Sequence, residues 1–89
     1  MLMDKQEQIN NIIKLMQQLE DAPGIPRNVK SLITEAKAKL LDESEGELDV
    51  RISNAIYLME EAGEDINLPP HARTQIWAIL SGLERLTNE

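Results

Sequence analysis

Displaced by 43 residues against itself, the sequence aligns its two halves without a gap. Ile9 falls on Ile52, Asn11 on Asn54, Ile13 on Ile56, Leu15 on Leu58, Met16 on Met59, Pro26 on Pro69, Ile33 on Ile76 and Leu40 on Leu83. Ile25 meets Leu68, Lys30 meets Arg73 and Ser31 meets Thr74. Any two amphipathic helices share an apolar period, but that period does not bring Asn11 and Pro26 onto identical residues. The chain is therefore expected to be a tandem pair of equivalent units, about residues 4–41 and 47–87, inside one domain spanning 1–89.

Each unit carries two apolar runs at helical spacing. The first is Ile9, Ile12, Ile13, Met16 and Leu19, opened near Asp4 and closed before Pro23-Gly24. The second is Val29, Leu32, Ile33, Ala36 and Leu40, with Pro26 suited to a first turn whose N–H has no partner. The third is Leu48, Ile52, Ala55, Ile56, Met59 and Ala62, preceded by Ser44 and Glu47 at the spacing of a capping box and stopped near Gly63. The fourth is Ala72, Ile76, Ile79, Leu80, Leu83 and Leu86, begun by Pro69-Pro70. No segment alternates with period two, so the expected fold is all-α.

Neither hairpin can cover its own apolar face. Together they make a four-helix bundle, and the short connections around 21–25, 42–46 and 63–69 favour up-down-up-down order. The alternative is a pair of stacked HEAT-like hairpins, whose open ends would favour self-association more strongly.

At 89 residues with no cysteine, this core must form from apolar packing alone, without disulfides or a thiolate zinc site. A hydrophobic share of 42% permits it. The apolar runs are far shorter than a membrane-spanning helix, and no signal-peptide pattern follows the first methionine, so a cytoplasmic protein with no membrane partner is expected. A formal net charge of −7 opposes long-range attraction to nucleic acid.

Catalytic constellations are not visible. His71 is the one histidine, and acid pairs such as Glu60-Glu61 point about 100° apart on a helix and do not share a proton. No phosphate loop, calcium loop or His-based metal pair is present, so no metal or cofactor is expected and the chain reads as a non-enzyme. Two surfaces remain. Arg27, Asn28, Lys30, His71 and Arg73 fall in the opening turns of the second and fourth helices, at one end of an up-down bundle, and form a candidate anion patch. Tyr57, Trp77, Leu15 and Leu58 broaden the apolar faces of their helices and form a candidate interface. Arg51, beside the third helix's core face, is expected in an ion pair with Asp4, Glu7 or Asp49.

The segments Ile25-Pro26-Arg27-Asn28-Val29-Lys30, Asp49-Val50-Arg51, Ala55-Ile56-Tyr57 and Pro70-His71-Ala72-Arg73-Thr74-Gln75-Ile76-Trp77 resemble an archaeal family of small uncharacterised proteins, number 0147 in that series. The resemblance covers nearly the whole chain. It implies an archaeal, intracellular, helical protein and brings no catalytic residues. Function is thus expected to lie in structure or in protein–protein contact, with a homo-oligomer as one form of it. The alternative is an RNA or ribonucleoprotein accessory touching phosphates through the basic patch.

Overall fold

The structure, a computed structural model, describes residues 4–88. Four α-helices follow one another: α1 (Lys5–Asp21), α2 (Arg27–Leu41), α3 (Leu48–Gly63) and α4 (Pro70–Thr87), with a short 3₁₀ turn at Glu43–Glu45. No strand occurs among the described residues. Asp4 starts α1 by accepting the Glu7 N–H at 2.8 Å. Pro26 and Pro69 are the N-caps of α2 and α4, and Pro70 takes the first helical position. Gly24, at φ +81°, makes the turn between α1 and α2.

The expected Ser44–Glu47 capping box does not form. The chain turns instead at Glu43–Glu45, where the Asp42 carboxylate accepts from both the Ser44 N–H and its hydroxyl, and Gly46 lies at φ +114°. Ser44 is thereby held inside the 3₁₀ turn and does not stand at a helix N-cap, and α3 begins at Leu48, after Glu47, without a side-chain cap.

The helices pack in a closed ring. α2 lies most extensively on α3, α3 on α4, α4 on α1 and, least, α1 on α2, while diagonal pairs barely touch. Stacked HEAT-like hairpins would instead set α1 beside α3 and α2 beside α4, so the up-down-up-down bundle is the arrangement present. The radius of gyration of 12.4 Å is that of a tightly closed chain, about 12 Å for this length by scaling.

Every buried position of the first half has a buried counterpart at the 43-residue offset: Ile9, Ile12, Met16, Leu19, Ile25, Val29, Ile33, Ala36 and Leu40 answer to Ile52, Ala55, Met59, Ala62, Leu68, Ala72, Ile76, Ile79 and Leu83. No polar or charged residue is buried among the described residues. The counterparts differ in size, and the differences are correlated. Arg51 donates to the Leu40 carbonyl at 2.7 Å and ties the start of α3 to the end of α2. α2 and α3 bury the small residues Ala36, Ala55 and Ala62, and theirs is the most extensive helix contact. At the 43-residue offset Ala36 and Ala55 answer to Ile79 of α4 and Ile12 of α1, helices whose contact is smaller, and Gly82 gives Ile12 its room: a Cβ at 82 would stand 3.2 Å from Ile12 Cδ1.

This matching predicts that Ala55→Ile destabilises the protein by about 1–3 kcal/mol through overpacking, although the pseudo-equivalent position natively holds Ile12. Ile12→Ala is expected to cost about 2–5 kcal/mol through the cavity it leaves. Urea unfolding of both variants measures this, and an Ala55→Ile protein as stable as the wild type would contradict the close packing around Ala55.

Candidate functional site

The turns entering α2 and α4 meet at one end of the bundle, where a Cβ on Gly24 would lie 3.7 Å from Pro69 Cγ. The candidate anion patch falls here, but not as a free cluster. Asn28 donates to Asp65 Oδ2 at 2.6 Å, and Asp65 Oδ1 accepts the Asn67 N–H at 2.8 Å. Arg73 donates through Nη2 to the Asp65 carbonyl at 3.0 Å and through Nε to the Gly63 carbonyl at 3.3 Å. A cation on these carbonyls also suits the negative end of α3's dipole. Two of the five residues are therefore engaged in closing the α3–α4 turn around a carboxylate, while Arg27, Lys30 and His71 remain exposed.

The Asn28 hydrogen bond, followed by that from Asn67, holds the Asp65 carboxyl below the usual carboxylate range. At the opposite end the Ser44 hydroxyl and N–H do the same for Asp42. Arg51 makes no ion pair with Asp4, Glu7 or Asp49; its guanidinium is half-buried beside the end of α2 and satisfies the Leu40 carbonyl. The first-turn position between two helices gives it a carbonyl acceptor closer than any carboxylate.

The grooves within the two hairpins differ. Between α1 and α2, Glu20 accepts from Lys37 and from the Thr34 hydroxyl, and Lys37 also reaches Gln17 at 2.7 Å. Burial raises the Glu20 carboxyl's pKa, yet the Lys37 and Thr34 hydrogen bonds outweigh it and leave the value lowered. At the 43-residue offset, Glu20, Thr34 and Lys37 correspond to Gly63, Trp77 and Leu80. The polar clamp of the first hairpin is thus replaced by a glycine and apolar side chains in the second.

Both aromatic residues lie outside the core: Tyr57 is 70% exposed and Trp77 60%. Tyr57 points away from the buried face of α3, where it lines a shallow cleft of about 240 Å³ with Glu60, Glu61 and Glu64. Glu61 also borders a second cleft, of about 410 Å³, lined by Asn28, Ser31, Leu32 and Glu35. Trp77 stands on the outer side of α4, on the neighbouring helix. Leu58 is half-buried against the core and Leu15 is 43% exposed. The acidic character of these clefts was not singled out from the sequence; the signal was Tyr57 at helical spacing with Glu60, Glu61 and Glu64. No group of three or more acidic or histidine side chains that could hold a metal ion occurs among the described residues, and no helix there is long and apolar enough to cross a membrane.

Comparisons with known proteins agree with one another. The family model described as "Uncharacterised protein family (UPF0147)" matches residues 1–86. A UPF0147 protein of Pyrococcus abyssi is 38% identical over 84 residues, covering 93% of this chain and 96% of that protein. One from Methanocaldococcus jannaschii is 35% identical, covering 91% and 86%. The crystal structure of MMP1188, a protein of unknown function, superposes with a TM-score of 0.88 at 36% identity, covering 94% of each chain. A UPF0147 structure from Thermoplasma acidophilum superposes at 0.83 with 33% identity, covering 91% of this chain and 94% of that one.

The lowered Asp65 value has a definite sign in the pH dependence of stability. The carboxylate's contribution is present above its unfolded pKa of about 4 and lost as pH falls through its lower folded value. Wild type is therefore expected to be more stable than Asn28→Ala at pH 7, with the gap closing by about pH 2. Denaturant unfolding at both pH values checks this, and a gap that persists in acid would show that Asn28 does not act through the ionised carboxylate.

Proposed function

Since the chain belongs to the uncharacterised protein family UPF0147, whose membership brings a helical fold but no activity, we propose that it is a non-enzymatic cytoplasmic module that docks a basic protein partner on the outer faces of α3 and α4. The observation that carries this reading is the exposure of both aromatic residues, Tyr57 and Trp77, over a core closed entirely by aliphatic and methionine side chains. Tryptophan and tyrosine left on a surface are the residue types that most often anchor interfaces, because one large rigid ring removes much apolar area from water at little entropic cost.

Glu35, Glu60, Glu61 and Glu64 around the clefts give the surface its sign. An acidic rim selects lysine- and arginine-bearing partners and disfavours pairing of this face with a second copy of itself. The non-enzymatic part rests on the absence of cysteine and on the one histidine, His71, being exposed. The phosphate-binding alternative draws less support, because Asp65 stands among the basic residues that it needs and engages Asn28 and Arg73.

Proteins retained from an archaeal extract by the immobilised chain are expected to be basic and to be released as salt rises. Trp77→Ala with Tyr57→Ala is expected to weaken their retention about tenfold or more while changing stability by no more than about 0.5 kcal/mol for each exposed site. Equal retention by the double variant would overturn the proposal. Because Trp77 is the only tryptophan, its emission should also shift to the blue on addition of a retained protein.

A further inference from the structure

The repeat supplies an internal comparison for the cleft beside Tyr57. Tyr57, Glu60, Glu61 and Glu64 follow one another at helical spacing, so they share one face of α3, with the carboxylates between the ring and the helix's C-terminal end. At the 43-residue offset the corresponding residues of α1 are Lys14, Gln17, Gln18 and Asp21. There the acids Glu20 and Asp21 are answered by cations of the chain itself: Lys14 stands on the same helix, and Lys37 crosses from α2 to Glu20 and Gln17. On the second hairpin Tyr57 replaces Lys14, glutamates replace the glutamines, and Leu80 replaces the bridging Lys37. Arg73, at the same end of α3, donates to the Gly63 and Asp65 carbonyls. Ion pairs among the described residues engage Glu20 and Glu45, and not Glu60, Glu61 or Glu64.

This arrangement works against α3. Carboxylates at the C-terminal end of a helix oppose its dipole, Glu60 and Glu64 repel one turn apart, and no basic residue occupies the last turn. Glutamine at the same places in α1 shows that the fold does not require the charges. Their cost is borne beside a ring that is 70% exposed, where a positive group from another molecule would relieve it.

We propose that this cleft receives an arginine side chain of the partner protein, the guanidinium lying over Tyr57 with its N–H groups directed to Glu60, Glu61 and Glu64. The inference rests on the reading of this surface as a docking face for a basic protein and names the group that the face takes. A guanidinium is planar and weakly hydrated, so it lies flat on an aromatic ring while the donors at its edge reach carboxylates beside that ring. A lysine ammonium is a compact, strongly hydrated point charge that cannot use both at once. The cleft, open and about 240 Å³ in volume, admits such a side chain from solvent. Glu35, across the adjoining cleft that shares Glu61, adds to the field that draws it in.

Two labelled peptides on the same Gly-Ser framework, one bearing arginines and the other lysines at the same places, are titrated with the protein at about 50 mM salt and followed by fluorescence anisotropy. The arginine peptide is expected to bind about two- to fivefold more tightly, the factor that a cation–π contact supplies at an exposed site. Tyr57→Leu, at an exposed position, is expected to abolish that preference. Glu60→Gln with Glu61→Gln is expected to weaken binding of both peptides severalfold while raising the urea midpoint, whereas residues kept for stability alone would lower it. Glu43→Gln with Glu47→Gln removes the same net charge from exposed positions at the opposite end of the bundle, and is expected to change binding much less. Equal affinity for the two peptides, a preference that survives Tyr57→Leu, or equal weakening by the Glu43 and Glu47 pair would overturn the arginine assignment. Retention of basic proteins from extract, and its dependence on Trp77, is read separately, so failure here is distinguishable from failure of the docking face itself.

Discussion

The structure depends on a dry contact between two hairpins of unequal side-chain volume. Each hairpin presents buried positions at the same places, the second adding Leu86, and none of the residues filling them is polar. An interior of this kind supplies no directional hydrogen bond to choose one packing over another, so shape has to choose. It does so by placing small residues, Ala36 and Ala55, in the buried faces of α2 and α3 where α1 and α4 carry Ile12 and Ile79, with Gly82 giving Ile12 its room. Close packing makes the choice costly to reverse, because a protein interior tolerates neither a void nor an added methylene without loss. Polar groups then secure the ends. Arg51 on the Leu40 carbonyl ties α3 to the end of α2, and Arg73 on the Gly63 and Asp65 carbonyls closes the α3–α4 turn.

Much of the fold was legible because helical periodicity and a repeat are both signals carried by apolar residues, and apolar burial is what holds this protein. The run containing Ile9, Ile12, Met16 and Leu19, and its counterpart containing Ile52, Ala55, Met59 and Ala62, are the buried faces of α1 and α3. What periodicity does not carry is competition among polar groups. The Asp42 carboxylate, two residues away, caps a 3₁₀ turn that takes Ser44 into its middle, so Ser44 does not reach the N-cap of α3. Arg51 had carboxylates in reach along the sequence, but the free carbonyls ending a neighbouring helix outbid them, and which helix end lies nearby is a tertiary fact.

The candidate surfaces show the same division. Residue type and helix position placed Arg27, Asn28, Lys30, His71 and Arg73 at one end of the bundle, and the end turns do meet there. The sequence carried no sign that Asp65 would enter between them, because its turn has no periodic pattern to anchor it. For Trp77, the helical wheel set the ring at the margin of the apolar face, and how much of such a margin a neighbouring helix covers is a tertiary fact: the ring is 60% exposed.

The departures from symmetry are the most informative part of the surface. In the first hairpin the outer groove is closed by Glu20, Thr34 and Lys37, an ion pair and hydrogen bonds that tie α1 to α2. Equivalent positions in the second hairpin hold Gly63, Trp77 and Leu80, and α3 nonetheless packs on α4 more extensively than α1 does on α2. The second hairpin therefore does not need the ring for cohesion: Ile76, packed beside Gly63, supplies the internal contact, and Trp77 faces outward from the next position along the helix. Trp77 is thus a large aromatic side chain left mostly exposed at a site where the sister hairpin turns its groups inward, which is the asymmetry on which the proposed docking face rests.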